Sequence, residues 1–212
     1  MTKGNIQTFI KKLNRLVFST HEIAQCSGRS LSATTQALKY LERNGIVTKV
    51  YRGIWADANN PNVSPYSAIP LLLPKQRAYV SFISALHLHH MVEQIPQVIT
   101  VASTAHTRTV RTRLGVFAIH KIAPSFFRGF GWYRGMRDFL IAEPEKALVD
   151  CLYLSAYRKK QFGYFPEIHF PKGFSMNKAK RWAAAISSGK ARRHVQKKLS
   201  AITNPREPRV NL

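Results

Sequence analysis

Between Phe18 and Trp55 the sequence is punctuated so closely that only short elements fit. Ser19 followed three residues later by Glu22 is a capping box, with Phe18 and Ile23 placed to staple it. Ser27-Gly28 stops the helix soon after it opens. A longer helix begins at Ser30 or Ser32, carries Ala37, Leu38 and Leu41 on one face, and ends at Asn44-Gly45. Ile46 to Val50 has strand composition, Tyr51-Arg52-Gly53 supplies a tight turn, and Ile54-Trp55-Ala56 returns. Ahead of these, Ile6, Phe9, Ile10 and Leu13 recur at helical spacing. Helix, short helix, turn, helix and basic hairpin is the order of a winged helix-turn-helix, expected over residues 1–58.

With Leu38 and Leu41 turned inward, the third helix presents Ser32, Thr35, Gln36, Lys39 and Arg43. Short hydroxyl and amide side chains near the start of such a helix can hydrogen-bond base edges in a major groove. Ser32, Thr35, Gln36 and Lys39 are therefore the candidate base contacts. Arg29, Arg43, Lys49, Tyr51 and Arg52 are the candidates for phosphate, which positions a protein without reading sequence. Plain solvation also produces a small polar helix face, and winged helices also mediate protein contacts. The helix alone leaves these readings open.

Charge bears on the choice. Lys and Arg number 33 against 10 Asp and Glu, a formal net charge of +23. That excess opposes compaction by self-repulsion and points to a polyanionic partner, whose condensed counterions are released on binding. Residues 1–60 hold 9 basic and 3 acidic residues, 61–171 hold 13 and 6, and 172–212 hold 11 and 1. The tail is the densest cationic segment. An acidic membrane is the rival partner, but the longest purely apolar stretch lies around Leu71–Leu73, far short of the roughly 20 residues of a spanning helix. Met1-Thr2-Lys3-Gly4-Asn5 does not open a signal peptide. Cys26 and Cys151 lack metal-ligand spacing and read as small buried hydrophobes of a reducing compartment. The expectation is a cytoplasmic protein with no membrane partner.

Asn, Pro and Ser crowd Ala58 to Pro65 as a linker would. Beyond it, a helix runs from Ser64 toward Leu72, and Tyr79 to Leu86 leads into another ending near His90. Pro96 to Ser103 is β-rich, Val110–Arg113 and Val116–Ile122 flank Leu114-Gly115 as a hairpin, and Phe139 to Ala142 is a further strand. Glu143-Pro144-Glu145 opens a helix with proline early and acids in its first turn. The expected fold is α+β: a winged helix-turn-helix, a mixed domain over 64–171, and a basic helical tail over 172–212 whose end, Asn204 to Leu212, is disordered.

In these segments the chain resembles the AbiEi antitoxin family, transcriptional regulators of type IV toxin–antitoxin and abortive-infection systems. The residues that carry it are Tyr51-Arg52-Gly53-Ile54-Trp55, Tyr79-Val80-Ser81 with Ser84-Ala85-Leu86, Ile95 to Ala102, Leu114-Gly115-Val116-Phe117, and Ala142 to Asp150, in family order over residues 5–155. The resemblance implies a repressor that binds inverted repeats in its own promoter. It also implies an operon partner, a toxin of nucleotidyltransferase fold, opposed without a stable complex.

Catalytic patterns are sparse. His87-Leu88-His89-His90 needs a further metal ligand at convincing spacing and finds none. Asp138, Glu143, Glu145 and Lys146 invite comparison with nuclease sites, but Pro144 stands where the pattern requires an acid. No cofactor, metal or enzymatic activity is expected. Phe126 to Arg134 mixes aromatics with Arg as single-strand and RNA binders do, though a strand packing on its core has the same composition. Asn177 to Ser188 places Ala179, Trp182, Ala183 and Ile186 on one face for docking. The cations Lys178, Lys180, Arg181, Arg192, Arg193, Lys197 and Lys198 then form a secondary basic surface. A general nucleic-acid or RNA-binding protein using that tail is the alternative function, and direct interaction with a toxin a third.

Overall fold

Capping chemistry sets the first elements. The computed structural model describes residues 5–135, 139–157, 162 and 167–203. The Asn5 side chain accepts from the Gln7 N–H and opens α1 (Ile6–Leu13), which Asn14 closes at φ 50°, a left-handed conformation that Asn tolerates. β1 (Val17–Ser19) runs directly into α2 (Thr20–Ser27) because Ser19 and Glu22 satisfy each other. Ser19 Oγ accepts from the Glu22 N–H at 3.1 Å, and Glu22 Oε2 accepts from the Ser19 N–H at 2.7 Å. Gly28 ends α2, and Ser30 caps α3 (Leu31–Arg43) by accepting from the Ala33 N–H. β2 (Val47–Tyr51) and β3 (Ile54–Asp57) follow, joined at Arg52-Gly53, where a φ of 72° requires glycine.

These strands form an antiparallel sheet in the order β1-β3-β2, with Trp55 opposite both Phe18 and Lys49. Ile6, Phe18, Ile23, Leu38, Leu41 and Val47 pack with Trp55 as the core. The indole is 2% exposed, and its Nε1 donates to Thr20 Oγ1 at 2.9 Å, so the one polar atom of this large side chain is satisfied. A 3-10 turn (Pro65–Ala68) and α4 (Ile69–Leu72) complete this stretch.

Residues up to Arg77, with Val110–Val116, make one unit; Ala78–Thr109 and the residues from Phe117 onward make the second. The expected linker therefore lies inside the first unit. The Ala58 N–H donates to the Ile46 carbonyl and Asn59 Nδ2 to the Gly45 carbonyl, which ties that polar stretch to the base of the hairpin.

The later elements are β4 (Ala78–Val80), α5 (Phe82–Leu88), β5 (Ile99–Ser103), β6 (Arg108–Thr112), β7 (Gly115–Lys121), β8 (Phe130–Trp132), β9 (Leu140–Ala142), α6 (Pro144–Ser155), α7 (Met176–Ala184) and α8 (Gly189–Thr203). The six strands are ordered β6-β7-β5-β4-β9-β8. β4 is antiparallel to β5, β5 is parallel to β7, and β4 is parallel to β9. Ala78 to Val80 is thus an inner strand rather than the approach to a helix, because Val80 finds partners in both Val101 and Ile141. α6 is buried from Glu145 to Tyr153 and packs against α5, α7 and α8. Ala179, Ala183 and Ile186 bury the inner side of the α7 segment, and Ala191, Val195 and Leu199, four residues apart, bury that of α8. The last buried residue of the basic tail is Leu199, and Asn204 to Leu212 lie outside the described residues.

The chain is α+β, and among the described residues no helix is long and apolar enough to cross a membrane. Replacing Thr20 with Val should preserve the packing but leave the Trp55 N–H without its acceptor. Urea unfolding followed by tryptophan fluorescence should then show a loss of about 1–3 kcal/mol. An unchanged midpoint would mean that this hydrogen bond contributes nothing net.

Candidate nucleic-acid interface

The outer side of α3 is defined by what its inner side buries. Thr34, Leu38 and Leu41 are buried, which leaves Ser32, Gln36, Lys39 and Arg43 exposed along one face at helical spacing. Thr35 differs from the expectation for a base contact. It is half-buried, and its hydroxyl donates to the Leu31 carbonyl at 2.7 Å, so only its acceptor capacity remains. Arg29 also departs from expectation: it is half-buried and lines a cleft of about 440 Å³ with Asn5, Gln7, Ala37, Tyr40 and Asn44. Ala37, Tyr40 and Asn44 lie along a different side of α3 from Gln36, Lys39 and Arg43, so Arg29 is grouped away from the exposed polar face.

Lys49, Tyr51 and Arg52 are exposed on β2 and its turn. The hairpin is fastened to α3 by Glu42, which is not among the residues expected from the sequence. Glu42, in the last turn of α3, accepts from the Lys49 backbone N–H at 3.1 Å. The same carboxylate oxygen accepts from Arg113 Nη1 at 3.2 Å, within the same unit, and the Arg113 N–H donates to the Val50 carbonyl. A carboxylate among cations, seven residues before Lys49, was the available signal, but its partner is set by how β2 leaves the helix.

In the second unit the secondary basic surface separates into two kinds of residue. Lys180, Arg181, Arg192, Arg193 and Lys197 are exposed, and Lys198 is half-buried. Lys178 does not belong with them. Its ammonium lies 3.1 Å from Glu143 Oε2 and 3.7 Å from Glu145 Oε2, across the start of α6. These carboxylates hold it above the ordinary lysine range, outweighing the opposing effect of burial.

The most deeply buried charges also lie here. Lys146 and Asp150, one turn apart on α6, are an ion pair with both side chains fully buried. Lys146 Nζ also donates to Tyr79 Oη at 3.1 Å, and Asp150 Oδ2 accepts from Tyr79 Oη at 3.1 Å and from Ser81 Oγ at 2.7 Å. The ammonium sits 3.9 Å from the centre of the Phe126 ring. Burial pulls the Lys146 ammonium below its usual range despite Asp150, and burial with Asp150 pushes the Tyr79 phenol well up. Gly129 is required beside this group, because a Cβ there would meet the Trp182 ring at 2.6 Å. The signal in the sequence was a lysine and an aspartate four apart, separated and followed by apolar residues from Ala147 to Leu154.

The other patterns resolve structurally. Phe127 and Phe130 pack on Tyr79, at 5.2 and 4.5 Å between ring centres, so the start of the aromatic–Arg segment is core; Trp132 at its end is 51% exposed. His89 Nε2 lies 2.7 Å from the Ala142 carbonyl, and burial holds the imidazole below its usual range. No group of three metal-binding side chains occurs among the described residues, and Asp138 lies outside them. Cys151 is buried as expected, whereas Cys26 is exposed on α2.

No protein-family model matches the chain, and neither does any curated protein.

Replacing Asp150 with Leu leaves the Lys146 charge buried and unpaired. Chemical denaturation should show a loss of about 3–5 kcal/mol, with much of it recovered when Lys146→Met is added. If the double variant is no more stable than the single one, the ion pair is not the source of the loss.

Proposed function

We propose that this protein is a DNA-binding transcriptional autorepressor and antitoxin of the AbiEi type, which recognises an inverted repeat in its own promoter through a winged helix-turn-helix. One observation carries the reading. The exposed Ser32, Gln36, Lys39 and Arg43 lie on a helix whose last turn, through Glu42, holds the backbone of a cationic hairpin bearing Lys49 and Arg52. A groove-sized polar helix and a backbone-sized cationic arm are thereby fixed to each other. Gln36 is suited to an adenine edge, to which glutamine donates and accepts in pairs. Lys39, Arg43, Lys49 and Arg52 supply the phosphate contacts. Glu42 would repel phosphate if left free, but its charge is engaged by Arg113.

The antitoxin part of the reading rests on the resemblance, two of whose segments meet in the fold. Tyr79 and Ser81 from one, and Lys146 and Asp150 from the other, form a single buried network. The partner proposed from the resemblance is a toxin of nucleotidyltransferase fold, opposed without a stable complex, and the protein is proposed to act in the cytoplasm. No cofactor and no catalytic step belong to this reading.

Footprinting on the DNA upstream of the coding sequence should show protection of a repeat beyond that of a random duplex of equal length; equal protection overturns the proposal. Gln36→Ala should lower the preference for the repeat by about 1–3 kcal/mol, roughly 5- to 150-fold. Arg52→Gln should weaken all duplexes alike and make the salt dependence shallower by about 0.9.

A further inference from the structure

From Lys172 to Thr203 the chain carries nine Lys and Arg residues and no Asp or Glu. Among the described residues, only Lys178 of these nine has a carboxylate within ion-pair distance. The remaining charge is organised by α8. Its buried residues, Ala191, Val195 and Leu199, turn Lys190, Arg193 and Lys197 to the opposite side as an exposed row, with Arg192 exposed at its flank. His194, bonded to Ser155 Oγ at 3.0 Å, is held below its usual range by burial and then by Lys198 and Lys197.

We propose that the outer row of α8, Lys190, Arg193 and Lys197, is a second phosphate-binding surface, which tracks the backbone of duplex DNA without reading its sequence. The spacing suits that ligand. Lys190 to Lys197 rises roughly 10 Å along the helix axis. A DNA strand offers a phosphate about every 3.4 Å of axis, so three cations meet about three phosphates. Single-stranded nucleic acid would call for exposed aromatic rings on which bases stack, and α8 contains no Phe, Tyr or Trp. An acidic membrane would call for an exposed apolar side, but the apolar residues Ala191, Val195 and Leu199 are buried. The inference rests on the reading of the protein as a duplex-DNA binder, and it adds contacts that the α3 face does not supply.

The test uses the full chain and the variant Lys190→Gln/Arg193→Gln/Lys197→Gln. A control with the same change of charge, Lys11→Gln/Lys12→Gln/Lys75→Gln, alters exposed lysines of the first unit that lie outside the proposed contacts. Binding to a fluorescent random duplex, to promoter duplex and to single-stranded RNA of equal length is measured across salt concentrations. The α8 variant should bind random duplex more weakly, with a slope of log K against log salt shallower by about 2–3. Its ratio of promoter to random affinity should match the parent's, and the control should keep the parent's slope. A parental slope in the α8 variant overturns the inference, as does an equal fall in the control or binding confined to RNA. If the parent shows no promoter preference but the α8 variant still loses slope, the repressor reading fails while this surface stands.

Discussion

The first unit turns on the indole of Trp55. It lies in β3, the central strand of a three-stranded sheet, so it packs beneath the helices while both neighbouring strands bond to its backbone. Its N–H ends on Thr20, the first residue of α2, whose own N–H donates to the Gly53 carbonyl in the hairpin turn. Two hydrogen bonds thus tie the turn of the hairpin to the start of a helix that the Ser19–Glu22 box has already fixed in position. A two-stranded hairpin is marginal in water by itself, and here β1 adds the third strand by pairing with β3. The exposed Lys49 and Arg52 are thus carried on a hairpin held in place by a buried, uncharged contact.

The second unit is organised around the opposite problem, a charge in a dry interior. A lysine with no exposed side-chain surface costs several kcal/mol to desolvate, and one carboxylate rarely offsets this. Lys146 is surrounded by Asp150, the Tyr79 hydroxyl and the face of Phe126, while Ser81 satisfies the second carboxylate oxygen. Such a group tolerates little rearrangement. It connects β4, α6 and the segment before β8, and it accounts for Gly129, where any side chain would strike Trp182. Because α7 and α8 pack on that same helix, the cations of the tail project from a fixed support.

Much of this is legible in the amino-acid sequence. The capping box, the Gly28 stop, the Ser30 cap and the Arg52-Gly53 turn are local chemistry, and each occurs where its residues place it. Helical spacing in α3 and in the α7 segment separated buried from exposed side chains for the same reason, as Leu38, Leu41, Ala179, Ala183 and Ile186 show: a period of 3.6 residues needs no knowledge of what lies opposite. The readings that shifted were those in which a partner decides. Thr35 spends its proton on Leu31, Lys178 is taken by Glu143 and Glu145, and Arg29 turns into a cleft beside Tyr40. The Asn- and Pro-rich stretch after β3 has the composition of a linker, yet hydrogen bonds to Ile46 and Gly45 hold it within the first unit.

By itself, then, the sequence determined the short-range features: where helices begin and stop, which residues form each apolar face, and how strongly cationic the whole chain is. These depend on covalent neighbours and on helical or strand periodicity. Only the tertiary structure decided that β4 lies inside a sheet, that Glu42 grips the hairpin and that residues 67–71 apart in sequence share a buried hydrogen-bond network. Those outcomes depend on which surfaces meet when the chain closes, and residues that distant become neighbours only when the packing of every intervening element is set.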